Sequence, residues 1–224
     1  MSIANKLLKI KSQLPENVTL VAVSKTKPVV DLTEAYNAGQ RIFGENKIQE
    51  MTDKWETMPK DIQWHMIGHV QTNKVKFMAE YVSLIHGVDS LKLLEEINKQ
   101  AKKHNRNIDC LLQIHIAEEV TKFGLNETEL NELLFSDEFK LLQNIKIVGL
   151  MGMATFTDNQ NQIKKEFQNL KTIFDTICTN AINRVATEKI DIKILSMGMS
   201  GDYKLAIECG STMIRIGSSI FGSR

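Results

Sequence analysis

The chain has 224 residues, 42% hydrophobic and 25% charged, with a formal net charge of +1, the profile of an ordinary globular protein of one large domain or two small ones. Near-neutral charge without long one-sign runs gives no electrostatic ground for nucleic acid or an anionic membrane as partner. No apolar run approaches the length of a membrane span, and MSIANKLLKIKSQL lacks the apolar core and cleavage site of a signal peptide, so a soluble cytoplasmic protein is expected. The three cysteines, Cys110, Cys178 and Cys209, suit neither a disulfide framework nor a zinc site and read as buried thiols in a reducing compartment.

Short apolar, β-branched runs alternate along the chain with helical patterns. The first, VTLVAVS from Val18, runs into Ser24, Lys25, Thr26 and Lys27 before Pro28. Alternation puts Val21, Val23 and Lys25 on one face. A lysine at such a strand end either snorkels to water or, dehydrated among apolar neighbours, offers an amine able to form a Schiff base. Lys27 shares that face but precedes Pro28 and starts a loop. DLTEAYNAG, from Asp31, reads as a helix with a capping aspartate and a closing glycine. RIFGE from Arg41 is the second strand, and the following Asn46 reads as the cap of a helix beginning at Lys47.

The third strand, IQWHMIG from Ile62, carries His65 and leads to His69. Their i, i+4 spacing brings metal ligands together on a helix rather than on a strand, so no metal site is expected. The strand VSLIHGVD from Val82, the helix LLEEINKQAKKH from Leu93 and the strand DCLLQIHI from Asp109 follow, with His115 inside the last as a satisfied core histidine. IKIVGLMGM from Ile145 is the sixth strand, and a long helix starts near Ile163. IKILSMGM from Ile192 and MIRIGSSIF from Met213 are the seventh and eighth strands. Met151, Met153, Met197, Met199 and Met213 fill irregular space near the strand ends.

Eight strands alternating with helices predict a single α/β domain, a (β/α)₈ TIM barrel. An open doubly wound sheet is the alternative, but no GxGxxG follows the first strand. Barrel sites lie at the C-terminal strand ends, with phosphate commonly bound after strands seven and eight. The seventh strand leads into Met199-Ser200-Gly201-Asp202 ahead of a short helix, DYKLAIECG, and the eighth into Gly217-Ser218-Ser219. Small residues there let backbone amides approach an anion, although Ser200 also reads as a plain helix cap. Arg215, between Ile214 and Ile216 on the face of Met213 and Gly217, requires either an acidic partner or a ligand.

Seven segments, AVSKTKP at 22–28, FGEN at 43–46, WHMIGHVQTNK at 64–74, TKFG at 121–124, GLMGMATF at 149–156, LSMGMSGDY at 195–203 and STMIRIGSSIFG at 211–222, resemble in order the signature segments of the YggS/PROSC family of pyridoxal phosphate homeostasis proteins. The resemblance runs from Leu20 to the last residues. It implies a barrel of the alanine racemase N-terminal type, pyridoxal phosphate (PLP) fold type III, with residues 1–224 as a single PLP-binding domain. It implies further that Lys25 holds PLP as a Schiff base and that Ser200, with the backbone and side chains around Gly217 and Ser218, takes the phosphate. Arg215 would face the pyridine nitrogen and keep it unprotonated, weakening the usual electron sink. Asn46 and Met199 would complete the cofactor-binding residues, and Lys122 matches a family lysine near the site. His69-Val70 depart from a frequent Pro-Leu, and His115 from a frequent asparagine.

Racemisation needs an acid and a base on opposite faces of the substrate, and alanine racemase takes one from a tyrosine of a second, β-rich domain. Tyr36, Tyr81 and Tyr203 do not lie in such a domain. The function implied is intracellular PLP buffering or delivery by a monomer, with transient contact to apo PLP-dependent enzymes and without robust catalysis. The alternatives are a fold type III enzyme such as an amino acid racemase, and a Schiff-base aldolase of a sugar phosphate.

Overall fold

The computed structural model of the chain describes residues 1–119, 123–183 and 189–223, so Lys122 and part of TKFG lie outside the described residues. The eight apolar runs fold as strands: β1 Thr19–Val23, β2 Ile42–Glu45, β3 Gln63–Met66, β4 Leu84–Val88, β5 Ile108–Gln113, β6 Ile145–Met151, β7 Ile190–Ser196 and β8 Met213–Ile216. Each pairs in parallel with its neighbour in sequence, and β8 returns to β1 with Arg215 beside Val21. That last pairing closes the barrel and rules out the open sheet.

The helices are α1 Ile3–Lys11, α2 Val29–Asn37, α3 Ile48–Thr57, α4 Leu91–Lys103, α5 Glu127–Phe135, α6 Asp137–Leu141, α7 Gln160–Asn183, α8 Tyr203–Glu208 and α9 Ser218–Phe221, with a 3₁₀ turn over Thr72–Phe77. None of the described helices is long and apolar enough to cross a membrane. Three local expectations change. Pro28, not Asp31, is the N-cap of α2, and Asp31 sits in the first turn, where a carboxylate favours the positive end of the helix. The eighth strand stops at Ile216, because Gly217 takes φ −117°, ψ −75° and Ser218–Phe221 coil into α9, which buries Ile220 and Phe221. His115 lies past the end of β5, half-buried, with its Nε2 3.0 Å from the Glu119 carbonyl.

Strand alternation divides the core into two. Outward residues such as Phe43 and Trp64 pack with helix residues such as Leu94 and Phe167, while Val21, Leu84, Leu111, Val148, Met151 and Met213 form a second, inner cluster. The inner cluster plugs the barrel, as side-chain layers do in this fold. Glycine is required at 149, where a Cβ would lie 1.8 Å from the Ile194 carbonyl oxygen and the β6–β7 register shifts.

Candidate functional site

Above the plug the inward positions include the buried polar side chains of His86, Gln113 and Arg215, and beyond them a cavity of about 860 Å³ opens at the C-terminal strand ends. Lys25, Asn46, Met199, Ser200, Arg215, Gly217 and Ser218 all line it. Lys25 reaches it because it continues the inward series Val21, Val23, and it is half-buried. Lys27 lines the same cavity and donates to the Ser223 carbonyl at 3.0 Å.

The segment carrying Lys25 is braced from outside the barrel. Lys54 Nζ of α3 donates to the Ser24 carbonyl at 2.8 Å, to Glu45 Oε1 at 2.7 Å and to Glu50 Oε1 at 2.7 Å. Ser24 Oγ also donates to Glu45 Oε1 at 2.6 Å, and the Thr26 amide to Glu50 Oε1 at 2.5 Å. Burial raises the Glu45 carboxyl above its ordinary range, against the pull of Lys54, and its Oε2 has no hydrogen-bond partner among the described residues. Thr26 itself takes φ +64°.

Arg215 is buried beneath the cavity. Its Nη1 donates to the Ser196 carbonyl at 2.9 Å and to Ser196 Oγ at 2.6 Å, and its Nη2 to the Gly152 carbonyl at 3.1 Å. Burial lowers its pKa to about 10, opposed by Asp202, so the guanidinium keeps its charge at neutral pH. The two turns beside it are linked, since the Gly217 amide donates to Ser200 Oγ at 3.3 Å. Ser200 therefore does not cap α8, whose N-cap is Asp202; the Asp202 carboxylate accepts the Met199 amide at 2.6 Å. Asn46 does not cap α3 either. Lys47 holds that position without a side-chain bond, and Asn46 lines the cavity.

The methionines divide: Met151, Met197 and Met213 are buried, whereas Met153 and Met199 line the cavity. Cys110 and Cys209 are buried and Cys178 half-buried, all as free thiols. His65 and His69 serve separate surroundings. His65 Nδ1 lies 3.1 Å from His86 Nε2 inside the barrel, while His69 faces Asp89 at 3.4 Å and stacks on Phe123 at the cavity rim, centroids 4.1 Å apart. The sequence reading missed Lys54, His86 and Ser196. Alternation with Leu84 was the available signal for His86, and alternation with Ile194 for Ser196.

The alanine racemase N-terminal domain family model matches residues 1–224. The pyridoxal phosphate homeostasis protein of Vibrio alginolyticus is 40% identical over 216 residues, covering 94% of this chain and 88% of that protein. The protein of the same name from Aquifex aeolicus is 38% identical over 207 residues, covering 92% and 86%. PipY of Synechococcus elongatus, solved without and with PLP, superposes with TM-scores of 0.90 and 0.87 at 35% identity, covering 99% of this chain and 100% of PipY. Alanine racemase of Clostridium difficile shares the fold, with a TM-score of 0.78 at 16% identity over 100% of this chain and 56% of that one. The chain belongs to the family of pyridoxal phosphate homeostasis proteins, within the alanine racemase N-terminal domain family.

Proposed function

We propose that the protein binds pyridoxal 5′-phosphate in this cavity, holds it as a Schiff base on Lys25, and serves intracellular PLP homeostasis by buffering or delivering the cofactor without robust catalysis. The observation that carries the reading is the convergence of an amine from β1 and a guanidinium from the adjacent β8 on one cavity, beside the joined Ser200 and Gly217 turns. The residues fit the group. A Cβ at Gly201 would meet nothing within 4 Å, so the backbone there borders open space, while a Cβ at Gly217 would lie 3.2 Å from the Val23 carbonyl oxygen. PLP supplies an aldehyde for a lysine amine, a phosphate and a ring nitrogen. Ser200, Gly217 and Ser218 hold the phosphate, Arg215 donates towards the ring nitrogen, and Asn46 and Met199 bound the ring. PipY, solved with PLP bound at 35% identity to this chain, supports PLP as the ligand.

The carrier reading is supported by where the tyrosines lie. Tyr36 bonds Asp61 and Tyr81 bonds Thr52, both on the outer layers, and Tyr203 does not line the cavity. None offers the second base that racemisation needs. Residues 1–224 then act as one binding domain, a cytoplasmic monomer that meets apo PLP-dependent enzymes only in passing.

Loading purified protein with PLP and recording its visible spectrum tests the reading. The expected result is a yellow protein whose band borohydride bleaches, with the added mass on the peptide containing Lys25 and no such band in Lys25→Ala. A colourless protein that traps a sugar-phosphate carbonyl on Lys25 instead would establish the aldolase. Exchange of amino acid α-protons in deuterated water at ordinary enzyme rates would establish the racemase alternative.

A further inference from the structure

Behind Arg215, on the side away from the cavity, the barrel interior holds three more buried polar side chains, each from a different strand: Ser196 of β7, His86 of β4 and His65 of β3. They form one row. Arg215 Nη1 lies 2.6 Å from Ser196 Oγ, Ser196 Oγ 3.3 Å from His86 Nδ1, and His86 Nε2 3.1 Å from His65 Nδ1.

The chemistry of the groups gives the row a direction. A guanidinium only donates, so Ser196 Oγ accepts from Arg215 and its own proton must go elsewhere. Among the described residues the acceptor within reach of that proton is His86 Nδ1. His86 is then protonated on Nε2, donates to His65 Nδ1, and leaves the His65 proton on Nε2. This order leaves only the His65 Nε2–H without a described acceptor, whereas the opposite direction would leave both the serine proton and the His65 Nε2 lone pair without a described partner, the costlier arrangement in a buried site. A further proton on either ring would face another N–H, or Ser196's proton, in a low-dielectric interior beside a cation. Burial accordingly pushes His65 down to about 3, and His86 well below the ordinary histidine value with His65 and Arg215 adding to the effect.

We infer that Ser196 and His86 are positioning residues for Arg215, and that the row is proton-ordered from Arg215 to His65 with both imidazoles in the Nε2–H form. Clamped through Nη1 and Nη2, the guanidinium cannot swing away from the cavity. The layer beneath it holds neutral rings, with the His86 proton directed at His65, so a ligand atom above Arg215 meets an N–H donor and no proton source. That last consequence rests on the PLP reading; the proton order itself does not.

The test is a long-range imidazole ¹H–¹⁵N spectrum of the full-length labelled protein between pH 6 and 8, before PLP is added. The expected result is His65 and His86 both as Nε2–H tautomers with resonances that stay fixed across the range. An Nδ1–H tautomer at His86, or titration of either ring, overturns the proton order without reference to any ligand. The second arm compares Ser196→Ala with Ser196→Thr. Ser196→Ala is expected to mix the His86 tautomers and weaken PLP binding about tenfold, the scale of one charge-assisted hydrogen bond, and Ser196→Thr to restore both. PLP affinity within twofold of wild type in Ser196→Ala would overturn the positioning role. A wild-type protein that binds no PLP yet shows both Nε2–H rings refutes the cofactor reading and supports the proton order.

Discussion

Thr26 is the most strained residue next to the site. A β-branched residue at φ +64° is a backbone outlier that costs on the order of 1–3 kcal/mol. Its amide is held by Glu50, and the Lys27 amide returns to the Ser24 carbonyl at 3.1 Å. The chain can therefore turn immediately after Lys25, leaving that side chain as the last of the inward series. Asparagine tolerates this conformation, so Thr26→Asn is expected to raise stability by about 0.5–1 kcal/mol, read as a higher urea midpoint with an unchanged slope. A lowered midpoint would mean that the threonine side chain contributes a contact worth more than the strain. The inward placement of Lys25 and Arg215 was legible in the sequence because strand alternation is strictly twofold and needs no partner; the choice of Lys25 over Lys27 came from the family resemblance. Taken alone, Ser200 and Asn46 also read as caps, because a cap is judged from neighbouring residues; the family resemblance, not the spacing, set them at the cofactor. What Ser200 bonds is Gly217, seventeen positions on, and only barrel closure brings the two together.

Helix α3 and strands β1 and β2 are locked together by one ammonium. Lys54 is 5% exposed and Glu45 fully buried, so the pair is desolvated and its geometry has to compensate. Removing one member leaves an uncompensated buried charge. Lys54→Met is therefore expected to cost about 3–5 kcal/mol of unfolding free energy. Lys54→Met with Glu45→Gln should recover part of that loss, because the stranded carboxylate is then gone; a double mutant no better than the single would show that Glu45 is not the charge at issue. Elements of this kind were only half legible. The apolar runs located all eight strands, but a β-branched and aromatic composition also drew Ser218–Phe221 into β8. Ile220 and Phe221 are buried there by one turn of helix, and composition alone does not separate a buried strand end from a buried helical turn.

For the whole molecule, the count of eight strands made a barrel the expected fold, while closure rested on the pairing of β8 with β1. The same closure creates a liability in acid. His65 and His86 sit in the barrel interior, where burial holds His65 at about 3 and His86 well below its ordinary value. The unfolded chain takes up protons on both rings below about pH 6.5, and the folded chain does not. Stability from these groups is thus complete above that pH and is lost as pH falls towards the folded values. The slope approaches about 1.4 kcal/mol per pH unit for each ring. Glu45 and Asp109, whose carboxyls burial raises, carry the opposite sign, so the ring contribution is read over the interval pH 7 to 5.5 with His86→Asn as the comparison. Across it the unfolding free energy from urea titration is expected to fall by about 2–3 kcal/mol, a large part of the roughly 5–15 kcal/mol typical of a domain. His86→Asn should start from a lower value but lose only about half as much over the same interval. A wild-type free energy that stays level from pH 7 to 5.5 would mean that the interior rings accept protons in the folded barrel, and the neutral polar layer beneath Arg215 would have to be abandoned.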